Sequence, residues 1–156
     1  SRTRFSENIN AGGREPRAQL IGHSTEVADR ALAKRLEVKA GTLLVRLETL
    51  RSADRTPIST ATSWLPADRF PDAGAVYQRA RSMTKTLAHF GVQDYRRATT
   101  RLTAAIVDAT DAARLDLALG RPVLLVESID VETDGKPVLT TSSRFAAERI
   151  EFVVDS

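Results

Sequence analysis

The chain has no cysteine among its 156 residues. Disulfides, thiolate nucleophiles and cysteine-ligated metals are therefore excluded, and a reducing compartment, the cytoplasm, is the expected location. Aromatic residues make up only 5% of the chain, which disfavours base-stacking platforms and carbohydrate troughs. No run approaches the roughly 20 apolar residues of a membrane span, so no membrane partner is expected. The opening Ser1-Arg-Thr-Arg-Phe5 has neither a hydrophobic signal core nor an initiator Met, and the expectation is a fragment preceded by a further segment. Charge of one sign is also not in excess: 23 basic residues against 20 acidic leave +3, a background value. The two histidines, His23 and His89, have no carboxylate or metal-ligand spacing, no Gly-x-Ser-x-Gly elbow activates a serine, and no Gly-x-Gly-x-x-Gly is present. No catalytic residue, metal or cofactor is expected.

What the chain does have is one supersecondary unit written twice. Ala33-Lys-Arg-Leu36, Gly41, Leu43-Leu-Val45, Pro57-Ile58 and Thr62-Ser63 are followed by Ala112-Ala-Arg-Leu115, Gly120, Val123-Leu-Leu-Val126, Pro137-Val138 and Ser142-Ser143. Leu36 and Gly41 precede their counterparts by 79 positions, and beyond the hairpin turn the offset is 80. Two related halves commonly meet along a cleft, and a cleft is where a small domain without a cofactor motif binds its ligand.

The punctuation predicts the elements. Residues 2–17 carry no sustained period and read as an arm. A strand at Gln19–Ser24, a helix at Ala28–Leu36 and a hairpin of Leu43–Arg51 with Ile58–Leu65 follow. Asp68–Ala75 reads as a short turn of helix. Ser82 is a good N-cap for a helix at Met83–Phe90. A long strand at Asp94–Val107, a helix at Asp111–Leu119 capped by Asp108 or Thr110, strands Val123–Val131 and Pro137–Phe145 around the Asp134-Gly135 turn, and Ile150–Val154 complete the chain. The sum is an α+β domain of about six mostly antiparallel strands, with three or four short helices on one face.

Alternation along the strands selects the candidate site. Val45, Leu47, Thr49 and Arg51 share a side, so an apolar strip turns polar toward the turn. The returning strands place Ser59, Ala61 and Ser63, and Leu139, Thr141 and Ser143, on matching sides, where small residues leave room. Arg51 brings a planar fork of donors suited to an oxyanion. Ser82 brings a hydroxyl beside the free amides of a helix start. Arg97, Thr99, Arg101 and Thr103 form a second, cationic face. The candidate ligand-binding residues are Arg51, Ser82, Thr49, Ser63, Arg101, Thr141 and Ser143, with a strand-end arginine, a plain cap and a solvated sheet face as their bland alternatives. Asp108 and Asp111 fit helix capping better than acid–base work, and Trp64 reads as a core or rim anchor.

Leu47-Glu-Thr-Leu-Arg51, Pro57-Ile58, Ser63-Trp-Leu-Pro66 and Phe70-Pro71 resemble the first half of the UTRA effector-binding domain of GntR-type bacterial regulators, HutC subfamily. Ala112–Leu115, Gly120-Arg-Pro-Val-Leu124, Gly135-Lys-Pro137 and Ala147-Glu-Arg-Ile-Glu-Phe152 follow the second half in order. Thr3-Arg-Phe5-Ser6-Glu-Asn8 and Thr100-Arg101-Leu102 look most like its phosphonate-metabolism members. The resemblance implies an internally duplicated, chorismate-lyase-like fold at residues 21–156. Residues 1–20 are then the arm from a missing winged helix-turn-helix domain through which alone DNA is bound. It implies a homodimer, a small anionic effector, and phosphate ligands at the positions of Arg51 and Ser82. Family members commonly carry glutamates where this chain has Ala61 and Leu139, and losing those acceptors for sugar hydroxyls points to phosphate or a short phosphonate. A chorismate-lyase-like enzyme and a dimerisation module with a vestigial pocket are the alternatives.

Overall fold

A computed structural model describes residues 4–8 and 18–155. In chain order the elements are β1 (Phe5–Asn8), β2 (Gln19–Val27), α1 (Arg30–Leu36), β3 (Leu43–Ala53), β4 (Thr56–Pro66), α2 (Ala73–Ala80), α3 (Met83–His89), β5 (Tyr95–Ile106), α4 (Ala109–Leu115), β6 (Pro122–Glu132), β7 (Pro137–Ala146) and β8 (Ile150–Val153), with a 3-10 turn at Ala147–Arg149. Strands β2 to β7 form one antiparallel sheet in the order β2-β3-β4-β7-β6-β5, and β1 pairs in parallel with β8 in a separate ribbon.

The sheet order is a palindrome of the two repeats. β2-α1-β3-β4 and β5-α4-β6-β7 meet at the antiparallel β4–β7 seam, where Thr62 faces Ser142. Local chemistry repeats with the sequence. Asp29 accepts the Leu32 N–H and Asp108 the Asp111 N–H, each at 2.8 Å, so both helices begin on an aspartate cap. Both end on a left-handed residue, Glu37 (φ 53°) and Asp116 (φ 51°), and turn at Gly41 (φ 87°) and Gly120 (φ 85°), where the absence of a Cβ makes positive φ cheap. Both hairpins carry a bulge at the same place, Ile58 and Val138 being the extra residues between paired Ser59–Arg51 and Pro57–Ser52, and between Leu139–Asp130 and Pro137–Val131. The first hairpin loop, one residue shorter, forces positive φ on Asp54 and Arg55, at 49° and 68°.

The halves are cross-braced. α1 packs on β7 and α4 on β4, so each repeat's helix covers the other repeat's strand. Arg35 of α1 pairs with Glu127 of β6, and Arg114 of α4 with Glu48 of β3 at 3.0 Å, the same contact made in both directions. Symmetry breaks one turn away. Buried Asp111 takes a bidentate fork from Arg144 at 2.8 and 3.1 Å, where the first repeat has Leu32 and Trp64.

Four differences from the sequence reading have clear physical causes. The helices occupy both faces of the sheet: α1 and α4 lie on one, α2 and α3 on the other. Adjacent Leu44 and Val45 are both buried, which a sheet covered on one side only does not allow. The short turn expected at Asp68–Ala75 is the lead-in to a complete helix, Ala73–Ala80, whose Ala73, Val76 and Tyr77 are buried at helical spacing. Its N-cap, Asp72, makes no side-chain cap bond, so the usual start signal is missing. The helix expected to run to Leu119 ends at Leu115, because Asp116 closes it as Glu37 closes α1. Finally, the arm contains a strand: Phe5–Asn8 lies beside Ile150–Val153. The rest of the arm, residues 1–3 and 9–17, lies outside the described residues.

The α2/α3 face holds the largest apolar cluster, with Val45, Leu47, Leu65 and Leu139 of the sheet under Phe70, Tyr77, Met83 and Leu87. α2 comes so close to β2 that a Cβ on Gly74 would stand 2.5 Å from His23 Nδ1 and 2.9 Å from its Cβ, which accounts for a glycine inside this helix.

Candidate functional site

The α2/α3 face has two covers and a polar strip between them. At one end α2 and α3 sit on the apolar cluster. At the other the β1–β8 ribbon approaches: Phe152 of β8 packs edge-on against Phe145 of β7, centroids 4.9 Å apart, and Arg51 lies over the Phe145 ring at 5.6 Å. Strand pairing puts Thr49 opposite Ala61, Ala61 opposite Ser143, Ser63 opposite Thr141, and Thr141 opposite Ser128. The side chains of Thr49, Ser63, Thr141, Ser143 and Ser128 therefore share one face. Thr141 is 1% exposed, Ser63 3%, Ser128 4% and Thr49 8%, so these hydroxyls form a floor rather than a solvated surface. Ser63 Oγ and Thr141 Oγ1 are 3.1 Å apart and hydrogen-bonded. Each hydroxyl both donates and accepts, so the floor can meet ligand acceptors or ligand donors.

Five of the seven candidates named from sequence lie along this strip: Arg51, Thr49, Ser63, Thr141 and Ser143. Arg51 ends it, with its side chain 15% exposed and ion-paired to Glu7 of β1. Arg101 lies elsewhere. A bulge at Ala98, between the Arg97–Asp130 and Thr99–Ile129 pairs, breaks the alternation on which the common face of Arg97 to Thr103 was predicted. Arg101 pairs opposite Glu127, which meets Arg35 of α1, so it is on the α1/α4 face and exposed. Ser82 caps α3 as expected, its hydroxyl accepting the Lys85 N–H at 3.2 Å and its carbonyl accepting from Thr86 Oγ1 at 2.7 Å. Both its acceptors serve the helix start.

Ser128 escaped the sequence reading, and Arg97 was placed there on a face with Arg101. Ser128 follows Thr49 by 79 positions, and the repeat offset alone could have found it. Arg97 is carried onto the α2/α3 face by the bulge, a feature without local sequence signature, and its guanidinium meets Asp130 at 3.1 Å. Asp130 occupies in the second repeat the position that Arg51 holds in the first. It is 2% exposed, and burial pushes its carboxyl up from the ordinary 3.8 against the opposing pull of Arg97. The folded state thus holds this proton more tightly than the unfolded chain does. The stability it contributes is present below about pH 3.8 and is lost as pH rises through the higher folded-state value. The stability of wild type relative to Asp130→Asn, from urea unfolding at pH 3 to 7, is accordingly expected to fall with rising pH, and a flat difference would contradict it.

A cavity of about 440 Å³ opens beside the strip, where the start of β2 meets the end of α2, with Leu20, Tyr77, Gln78 and Arg81 in its wall. Leu20 pairs with Thr49, so the cavity adjoins the hydroxyl floor. Tyr77 donates its hydroxyl to the Ala18 carbonyl at 2.9 Å, tying α2 to the approach of β2. Among the described residues no group of three or more His, Asp or Glu is arranged to hold a metal, and no helix is long and apolar enough to cross a membrane.

Comparison with known proteins agrees with the fold. Over 155 residues the chain is 36% identical to the "Uncharacterized HTH-type transcriptional regulator RB1450" of Rhizobium meliloti strain 1021, covering 99% of this chain and 64% of that protein. It is 24% identical over 148 residues to the HTH-type transcriptional repressor PhnF of Mycolicibacterium smegmatis, covering 95% of this chain and 60% of the relative. The chain thus spans about three fifths of the length of these relatives. The crystal structure of PhnF from Mycobacterium smegmatis superposes with a TM-score of 0.88 at 22% identity, covering all of this chain and 73% of that one. Its effector domain alone superposes at 0.84 and 21% identity, covering 97% and 99%. These relatives are named as transcriptional regulators. Residues 11–151 match the UTRA domain, and with that match spanning most of its length the chain belongs to the UTRA family of effector-binding domains of bacterial transcriptional regulators.

Proposed function

We propose that the hydroxyl strip ending at Arg51 is the effector site, and that it takes a small phosphorus oxyanion, phosphate or a short phosphonate. The observation that carries this reading is the strip itself: a row of hydroxyl side chains on one face, with Thr49, Ser59, Ser63, Ser128 and Thr141 buried, running to a guanidinium between two covers. Such a row donates to several oxygens of a compact tetrahedral anion, while the guanidinium supplies the opposite charge in a planar fork. Ala61 and Leu139 supply no carboxylate to accept from sugar hydroxyls at those two positions, and Asp130, the carboxylate opposite Leu139, is engaged by Arg97. Arg101 falls outside this set, because it lies on the α1/α4 face, and Ser82 stands apart from the strip at the start of α3, its hydroxyl accepting the Lys85 N–H while its own proton remains available to an anion.

The domain would act by linkage. Effector binding favours one arrangement of the sheet, the arm and the partner protomer over another, and that difference in affinity biases DNA binding by an N-terminal domain joined through residues 1–20. The partner is a second copy, and β5 is the edge it would use. β5 closes one side of the sheet, it is exposed on both faces from Arg101 to Ile106, and Leu102 (43%) and Ile106 (67%) are bare. A single-chain mass by light scattering counts against this part.

The test is thermal unfolding with inorganic phosphate, methylphosphonate, 2-aminoethylphosphonate, glucosamine 6-phosphate and chorismate, for wild type and Arg51→Ala. A ligand at 100 times its dissociation constant adds about 2.7 kcal/mol, roughly 5–10 °C for a domain of this size. Stabilisation by a phosphorus oxyanion that Arg51→Ala abolishes is expected. Tight binding of the sugar phosphate without any response to phosphate or the simple phosphonates would overturn the assignment.

A further inference from the structure

The guanidinium at the end of the strip already holds an anion that belongs to the chain. Glu7 of β1 pairs with Arg51 of β3, side chains 26% and 15% exposed. β1 is short: among the described residues its four residues pair with β8, in register from Phe5–Ile150 to Asn8–Val153, and Ser6 Oγ donates to Glu151 Oε1 at 2.8 Å in an exposed position. A two-stranded ribbon of this length has little stability of its own. Glu7–Arg51 and the Phe152–Phe145 contact beneath that guanidinium tie it to the main sheet beside buried Ile150.

We infer that Glu7 is a built-in competitor for the anion seat of Arg51, so that effector binding and the docking of β1 oppose each other. The inference rests on the reading of Arg51 as the effector's anion partner. An oxyanion arriving along the hydroxyl strip meets Arg51 from the same face as Glu7, and two like charges on one partly buried guanidinium repel. The arriving anion gains donors that Glu7 lacks, because the floor hydroxyls of Thr49 and Ser143 lie on the strip and not on the ribbon. Displacement of Glu7 loosens β1 at the point where the chain leads back toward residue 1. By reciprocity, anything that holds β1 down weakens the effector by the same factor. The position thereby connects the site to the arm without moving the cross-braced sheet.

The experiment uses the 156-residue chain, with inorganic phosphate and methylphosphonate as probes. Glu7→Gln keeps the shape and removes the charge. Calorimetric titration is expected to show tighter binding of the anion by this variant, on the order of 10-fold, within the usual range of coupling between sites. In wild type, hydrogen exchange at residues 5–8 is expected to speed up on saturation with anion. In Glu7→Gln it is fast from the start and indifferent to the anion. Binding that depends on Arg51 but is unchanged or weakened in Glu7→Gln, or exchange at residues 5–8 that saturation leaves unaltered, overturns the competition and leaves the site standing. Absence of any binding that Arg51→Ala removes overturns the site and the competition together.

Discussion

Arg144→Ala is expected to cost the domain about 3–5 kcal/mol, the penalty of stranding a buried charge. Asp111 is 5% exposed, and Arg144 is its charge partner, holding both carboxylate oxygens while its Nη1 donates to Thr62 Oγ1 at 3.1 Å and the Ser142 carbonyl at 2.6 Å. Truncation removes four hydrogen bonds and leaves the carboxylate beneath α4 without its cation. The first repeat shows what the position accepts instead: Leu32 and Trp64 stand where the second has Asp111 and Arg144, inside the cluster around α1. The double variant Asp111→Leu/Arg144→Leu is therefore expected to recover most of the loss, since an ion pair replaced whole by apolar residues is often neutral. Urea unfolding of Arg144→Ala and of the double variant measures both effects. A double variant as unstable as Arg144→Ala would mean that the bonds to Thr62 and Ser142, and not the stranded charge, carry the cost.

Phe70→Ala is expected to cost a similar amount, about 3–5 kcal/mol, by a different route. Phe70 is 1% exposed and sits between β4 and α2. Its ring meets Phe90 edge-on at 5.5 Å, and the Arg69 guanidinium lies over it at 5.1 Å. Its backbone N–H donates to Pro66 and its carbonyl accepts from Ala73, so it also sets the turn that launches α2. Deleting the ring opens a cavity where α2, α3 and the sheet meet, at the edge of the hydroxyl floor. Phe152→Ala, in the half-exposed ribbon, serves as the comparison and is expected to lose much less. Equal losses in the two variants would show that α2 and α3 are held by other contacts. Because the two helices form one cover of the proposed site, Phe70→Ala is also expected to weaken anion stabilisation, whereas Arg144→Ala, on the opposite face, leaves it intact in the remaining folded protein.

The shared face of the proposed site was legible wherever alternation ran undisturbed. Thr49 and Arg51 share a side because β3 is regular from Leu43 to Arg51, and the same holds for Ser63, Thr141 and Ser143 across the seam. Alternation failed at Ala98, where one extra residue turned Arg97 toward Asp130 and left Arg101 on the far side. Nothing in Arg96-Arg97-Ala98-Thr99 announces a bulge. α2 was hidden differently, since its buried spacing of Ala73, Val76 and Tyr77 is present in the sequence. Pro71 and a cap residue without a cap bond masked its start. The helices on both faces could have been inferred from Leu44-Val45, where neighbouring apolar residues need two buried sides.

By itself the sequence determined the duplication, both hairpins, the aspartate caps of α1 and α4 and the glycines that follow these helices. All are governed by residues within a few positions of one another, through steric limits on φ and hydrogen bonds from a side chain to its own turn. Only the tertiary structure decided the palindromic sheet order, the crossing of each helix onto the other repeat, and the parallel pairing of β1 with β8 that brings Glu7 to Arg51. Those contacts join residues far apart in the chain, and their geometry is set by which buried faces and charges match once the two halves meet, a selection that no local pattern encodes.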